Sequence, residues 1–376
     1  MRIDHPSNRL VENVLFTLFL DMASKRSNYK DFEWAIKLNR CSFKIIGLWP
    51  ENHEVINTNN FVSNIQLLIM RWKRSAILLI VNMMAEDWMH LSTEAERYVM
   101  IKQVQFARLF TIYSYCIAAL GVTTVTVLPS FGLHFRVITN LTDRDRVLPM
   151  QAYYFYDTDK SPQFELTLAA QFISMFFILI IYMSVDAFFM LTIFHICSQL
   201  KNFRYRLLNL VLYNDFNNGI RYIVETHLRL IRFADNIENI FSLSTLGVLL
   251  YFGVVFCIYG FLFITIIISN ETSYISFSRI CAAICGTVSS LVILLFYCIG
   301  GELVAKECEA VYRALCDLEW YILEPTESRA LILIMIRTSK FFCITAGKIF
   351  PLSMATFCSV FKTSVGYISF LLAKRN

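Results

Sequence analysis

The chain has 376 residues, 56% of them hydrophobic and only 17% charged, with a net charge of +5 and a mean hydropathy of +0.53. Soluble domains carry about a quarter charged residues, so this composition excludes a soluble globular protein, and the small positive balance is no footprint for nucleic acid. Several apolar runs approach or exceed the roughly 20 residues of a spanning helix, which makes this an all-α, polytopic membrane protein.

The N-terminal segment, residues 1–60, has eight Lys or Arg up to Trp49 and closes on Gly47-Leu-Trp-Pro50 and a polar stretch. Its apolar run Val14–Leu20 is short and bracketed by Glu12 and Asp21, with no small-residue cleavage site, so no cleaved signal peptide is expected. Residues 61–84 are apolar at both ends but carry Arg71, Trp72, Lys73 and Arg74 in the middle. That cluster leaves two pieces of about ten residues, each too short to cross. Clear spans follow at Phe106–Leu128, Leu168–Ile196, Ile240–Ile268, Arg279–Gly301 and Met354–Ala373. The connecting stretches Gln199–Asn239 and Glu302–Lys340 read as amphipathic helices, with Tyr222, Leu228, Ile231 and Ala234 at helical spacing among charges. The last span follows a break at Pro351, and with only Lys374, Arg375 and Asn376 beyond it, no tail domain is expected.

Basic residues set the orientation. Gln199–Asn239 has six Lys or Arg and Glu302–Lys340 has five, whereas Phe131–Thr167 has four against five acids and Asn270–Ser278 has none. The first two, with the N-terminus, are therefore placed in the cytoplasm and the last two outside. The glycosylation sequons at Asn140 and Asn270 fall one in each external loop, in agreement. The N-terminal half does not fit this scheme. Ala85–Gln105 must be cytoplasmic, which requires an even number of spans before it, and only the broken run 61–84 is present. Several cations at mid-bilayer would also cost several kcal/mol.

Chemistry-bearing constellations are few. His195 and Cys197 lack partner ligands for a metal, and Cys281 with Cys285 on one helix face also reads as packing. No catalytic triad, HExxH, phosphate loop or paired catalytic carboxylate occurs, so no enzyme and no cofactor are expected. Most of the eleven cysteines lie in or beside apolar runs and behave as small hydrophobes. Asp186 lies inside an apolar helix near its cytoplasmic end, where a structural partner or interfacial water explains it better than a ligand. Phe172, Met175, Phe176 and Phe177, on the outer half of the same helix, are candidates to line a small apolar ligand pocket. Helix packing is the competing explanation for each of them.

Several pieces occur in a telling order: Gly47-Leu-Trp-Pro50; Met84-Ala-Glu-Asp-Trp88; Asp186, His195 and Gln199-Leu200; and Tyr312 with Trp320-Tyr321. They end with Ile336-Arg-Thr-Ser-Lys340, Phe350-Pro-Leu-Ser353, Phe357 and Lys362-Thr-Ser-Val-Gly-Tyr367. In combination these resemble the insect odorant receptor family over most of the chain. The resemblance implies a seven-helix bundle with inverted topology, its N-terminus cytoplasmic, of which six or fewer spans are clear here. It also implies a ligand-gated cation channel, a heterotetramer with a coreceptor, in the plasma membrane of olfactory sensory neurons. The expected organisation is a cytoplasmic segment at 1–60, a truncated or fused first and second helix at 61–84, and helices three to six with the pocket at 106–301. A cytoplasmic anchor at 302–348 and a pore-lining helix at 349–376 complete it. The expected ligand is a small apolar volatile. Tyr367, Phe370, Ala373 and Lys374 are the expected pore and gate residues, with Phe370 as the apolar plug.

Two departures from the family pattern stand out. Only 36 residues separate Pro50 from Asp87, where the family carries two spans, which coincides with the parity problem and suggests a skipped exon or a deletion in the gene model. In the terminal motif, Val365-Gly366 replaces a frequent Tyr-Ser step, and Phe370 stands where a smaller residue is common. A G-protein-coupled receptor would need an external N-terminus and a cytoplasmic tail. A small-molecule transporter would need paired broken helices or repeats, and only the Pro351 break is present.

Overall fold

The computed structural model describes residues 27–46, 48–49, 68–127, 148, 154–158, 160–208, 216–268, 274–340 and 342–375. Its helices are α1 (27–45), α2 (68–72), α3 (Arg74–Met89), α4 (Glu94–Val127), α5 (Gln163–Leu208), α6 (Phe216–Ile268), α7 (Tyr274–Cys316), α8 (Pro325–Thr338) and α9 (Met354–Arg375). Two short strands, β1 (Thr345–Ala346) and β2 (Phe350–Pro351), precede α9.

The long helices follow from what their sequences lack. The 46 residues of α5 contain neither Pro nor Gly, and α6 and α7, of 53 and 43 residues, contain no Pro. At 1.5 Å per residue they run roughly 65–80 Å, about twice the hydrocarbon thickness of a bilayer. The amphipathic stretches at 199–239 and 302–340 are therefore largely continuations of the spans. The hydrophobic pattern changes there, but α5 continues to Leu208, α6 is helical from Phe216, and α7 continues to Cys316, after which Pro325 opens α8 at its first turn. Among the described residues, Glu94–Thr123, Gln163–Leu208 and Phe216–Phe261 are long and apolar enough to cross a membrane. The apolar runs of α7 and α9 are described only in part.

α5 is the centre of the bundle, packed against α4, α6 and α7, while α9 lies on α6 and α7. Its buried rings Phe188 and Phe189 interlock with Phe43 from α1 and Phe241 from α6, with centroids 5.0–5.9 Å apart. α1, in the segment without a clear span, is an amphipathic helix with one buried face. Its Ser42 accepts a hydrogen bond from the Tyr115 hydroxyl (2.9 Å), and its Asp31 pairs with Arg97 of α4 (2.7 Å).

The basic cluster of the broken run finds a different level from the mid-bilayer one its position suggests. α3 runs antiparallel to α6: Lys73 Nζ donates to Asn239 Oδ1 (2.8 Å), and fourteen residues later Asp87 meets Arg229 (2.7 Å). α3 therefore lies beside the charged stretch of α6 that the basic residues place in the cytoplasm. The cations sit where α6 passes from Asn239 to its apolar run at Ile240, so long basic side chains can reach polar surroundings. Arg74 also donates to the Trp49 carbonyl (3.1 Å), which ties the buried Leu48-Trp49 corner to α3.

The lead-in to α9 hangs on α6. β1 and β2 pair antiparallel, Thr345 opposite Pro351, around a turn in which Gly347 (φ +64) and Lys348 (φ +59) are left-handed. The Gly347 amide donates to the Ser242 carbonyl (2.8 Å) and the Lys348 amide to Ser242 Oγ (3.0 Å). Ser353 then caps α9 by accepting from the Thr356 amide (3.2 Å).

Candidate functional site

A cavity of about 490 Å³ opens between α4, α5 and α7, within the usual range of a small-molecule pocket. Phe110 and Ile117 of α4, Phe189 of α5, and Val292 and Phe296 of α7 supply its apolar walls. The Phe110 and Phe296 rings meet edge to face at 4.8 Å, and Phe189 lies 5.0 Å from Tyr297. Met183 and Met190 contribute soft, adaptable surface. Ser114, Asp186 and Tyr297 supply its polar lining. The Tyr297 hydroxyl donates a short hydrogen bond to Asp186 Oδ1, joining α5 to α7 across the cavity wall.

Phe172, Met175, Phe176 and Phe177 are not among the lining residues. They precede the cavity by two to four helical turns on α5, and Phe172 and Phe176 are 43% and 47% exposed on its surface. Asp186, for which the sequence suggests a structural partner or interfacial water, has a partner in Tyr297 and also faces the cavity. The signal that could have located this site was a carboxylate in one apolar run and a tyrosine in another.

Below the cavity lies a polar network on the inner ends of the helices. Asp87 of α3 bridges two other helices: Oδ1 accepts from Arg229 Nε of α6 (2.7 Å), and Oδ2 meets His195 Nε2 of α5 (3.0 Å). Arg229 also pairs with Glu86 (3.0 Å). About three turns further along α5, Arg206 Nε donates to Glu96 of α4 (2.6 Å), which also accepts from the Ser92 amide and hydroxyl at the start of α4. His195 is thus a hydrogen-bond partner in a packed junction. Arg229 had carried no signal of its own in the sequence. In the segment leading to α9, burial pushes the Cys343 thiol up, and the Glu238 and Glu302 carboxylates add to it.

On α9, Ser364 and Ile368 are buried against α6, and the Phe256 and Phe361 rings meet at 5.6 Å. Tyr367 and Phe370 point away from the bundle, 60% and 65% exposed, with Ala373 on the same broad face. The Lys374 side chain, and Asn140 and Asn270, lie outside the described residues.

The profile of the 7tm Odorant receptor family matches residues 55–365. This chain belongs to that family. Odorant receptor 22c of Drosophila melanogaster is 26% identical over 201 residues, which is 50% of this chain and 48% of the relative. Odorant receptor 10a of the same species is 34% identical over 83 residues, 22% and 20% of the two chains. The alignments thus span about half the length or less of these curated relatives. The fold agrees with that of the insect olfactory receptor OR5 from Machilis hrabei. The OR5 structure in complex with eugenol gives a TM-score of 0.64 at 16% identity, covering 90% of this chain and 88% of OR5. A second OR5 structure gives 0.66, also at 16% identity, covering 90% and 87%.

As in the family pattern, the chain has its sequence signatures at helix junctions. Leu48-Trp49 and Trp88 are buried in the core, and Asp87 and His195 meet. The Trp320 carbonyl accepts from Ser328 at the start of α8 (2.8 Å), which fixes the turn between α7 and α8.

Proposed function

We propose that this odorant receptor family member is a receptor subunit that binds small volatile odorants and gates a cation channel together with a coreceptor, in the plasma membrane of olfactory sensory neurons. The observation that carries the reading is an apolar, aromatic-walled cavity between α4, α5 and α7 in a chain of this family. That OR5 was solved with eugenol supports a small organic ligand here as well. An odorant leaving water for such a cavity gains roughly 25 cal/mol per Å² of apolar surface buried. On this reading Phe172, Met175, Phe176 and Phe177 serve the approach to the cavity rather than its wall. Asn140 and Asn270 carry sugar on the outer loops.

A path from cavity to pore is short. Tyr297 lines the cavity, and one turn further along α7 the backbone of Gly301 lies against Leu352, two residues before α9. A ligand that binds better when α7 has shifted would move the start of α9; equal affinity for both positions would move nothing. α9 lines the pore, Tyr367, Phe370, Ala373 and Lys374 form its outer half, and Phe370 is the apolar constriction. Residues 302–348 form the cytoplasmic anchor with the inner parts of α5 and α6. The short stretch between Pro50 and Asp87 reflects a missing part of the first two membrane helices, and sequencing the transcript tests this: a continuous message without further coding sequence there refutes it.

The test of function is odorant-evoked current in cells expressing the chain with and without a coreceptor. Inward cation current that requires both subunits is expected. Surface-expressed protein that gives no current across a broad odorant panel overturns the channel reading.

A further inference from the structure

We propose that the cavity selects small apolar molecules bearing one hydrogen-bond-donating head, an amine or an alcohol, which Asp186 receives. This rests on the odorant-binding reading above and adds the ligand's chemical class to it.

The argument begins with an incomplete pairing. Asp186 lines the cavity, and its Oδ1 accepts from Tyr297. Among the described residues no Lys, Arg or His pairs with the carboxylate, and Oδ2 has no protein partner. Oδ2 is nonetheless not sealed off, unlike the buried, partnerless Tyr182 hydroxyl one turn earlier. A carboxyl oxygen without a partner has lone pairs free to accept a hydrogen bond, and a polar group held in apolar surroundings without a partner is costly. A ligand that supplies an N–H or O–H to Oδ2 relieves that cost. An ether or alkane of the same shape leaves it in place.

The rest of the site suits such a molecule. Phe189 and Phe296 offer aromatic faces to an alkyl body, and Met183 and Met190 flank Asp186 within about one turn on either side. The body is held by non-directional contact that adapts to shape. The head is held by one directional bond. Sites that hydrogen-bond a ligand reject analogues lacking the group far more strongly than apolar pockets reject a missing methylene. The competing explanation is that Asp186 and Tyr297 only fasten α5 to α7, in which case ligand head-group preference is independent of residue 186.

The test uses the full-length chain, co-expressed with a coreceptor for currents and purified for ligand-induced thermal shift. The probes are hexylamine, hexanol, methyl pentyl ether and heptane, which are close in size. For the native receptor, the amine or alcohol is expected to half-saturate at up to roughly tenfold lower concentration than the ether and heptane, from one added hydrogen bond. Asp186→Leu is expected to abolish that gap while heptane still binds. Asp186→Asn, which keeps size and fold and whose amide can donate to an ether oxygen, is expected to narrow it. Equal potency of all four probes on the native receptor, or an unchanged gap in both variants, overturns the proposal. Binding with the gap present but no current refutes the channel reading and leaves the ligand class standing. No thermal shift with any probe overturns both.

Discussion

Asp87 is the residue whose removal the structure penalises most clearly. Its carboxylate is 12% exposed and joins α3 to α5 and α6 through Arg229 and His195. The two partners differ in what they lose in Asp87→Ala. Arg229 is 35% exposed and keeps Glu86, so it is resolvated at small cost. The His195 side chain is fully buried, and its Nδ1 already lacks a partner. Without Asp87 neither ring nitrogen is bonded. An orphaned buried polar group costs about 1–3 kcal/mol, and the lost bond to the partly exposed Arg229 adds up to about 1. We expect Asp87→Ala to destabilise by about 3 kcal/mol, read as a drop on the order of 5 °C in the melting temperature of detergent-purified receptor. Most of that loss should return in Asp87→Ala/His195→Leu, because the apolar side chain needs no partner. A single variant that melts within about 1 °C of the native protein would refute the accounting, as would a double variant no better than the single.

Three further outcomes follow from particular contacts. The adjacent glycines of α7 should respond with opposite signs. A Cβ on Gly301 would lie 2.1 Å from the Leu352 carbonyl oxygen, a backbone atom that cannot rotate away, so Gly301→Ala should cost about 1–3 kcal/mol; one on Gly300 meets ordinary contacts at 3.4 Å and beyond, so Gly300→Ala should be neutral or stabilising by up to about 1 kcal/mol in thermal melts. Cys343 is solvent-accessible but its thiol is pushed up by partial burial and by Glu238 and Glu302, so less thiolate is present at pH 8 and maleimide labelling should be slower than for an unperturbed cysteine. Glu238→Gln should accelerate that labelling, and an unchanged rate would contradict the assignment. Tyr115 joins Ser42 of α1 and Ser184 of α5 through its hydroxyl, both at 2.9 Å, so Tyr115→Phe should lower stability by about 1 kcal/mol, measured by the same melts.

The membrane character and the family pattern were legible because they rest on hydropathy and on local residue order. The helix Met354–Arg375 begins where the sequence placed it, since Pro351 and the capping residue Ser353 are local signals. The lengths of α5, α6 and α7 were less legible. A change from apolar to amphipathic composition looks like a boundary in a hydropathy profile, yet the backbone has no reason to stop without Pro or a turn. α1 was missed for the opposite reason. Its buried face, Phe32, Ala35, Ile36, Asn39 and Phe43, is short and mixed with charges, and becomes a core face only when α4 and α5 are beside it. The cavity was displaced along α5 because aromatic density marked Phe172–Phe177, whereas enclosure depends on which turns of α4 and α7 come opposite. That is a matter of tertiary packing. The Asp87–His195–Arg229 junction likewise joins positions 108 and 142 residues apart in sequence, so only its individual members could attract attention.

The bundle's burial pattern bears on the short stretch before Asp87. In the apolar window of α5, 67% of residues are buried, and in that of α6, 50%; in α4 the figure is 11%. Exposed Ile112, Tyr113, Ile117 and Leu120 fall within an arc of about 140° on α4 at 100° per residue. α3 does not cover this face, because it stays beside the Arg229–Asn239 stretch of α6 and carries its cations at the upper end. A helix with one apolar face toward lipid needs no second neighbour, so exposure by itself decides nothing. Combined with the parity of the spans, it decides more. The charge distribution requires an even number of crossings before Ala85, and the side of α4 and of the cavity that α5 and α7 leave uncovered is where a helix pair would pack. Two complete helices, as proposed above, would satisfy both conditions. The same pair would enclose the cavity more fully and desolvate Asp186 further, strengthening its preference for a ligand that brings its own hydrogen-bond donor.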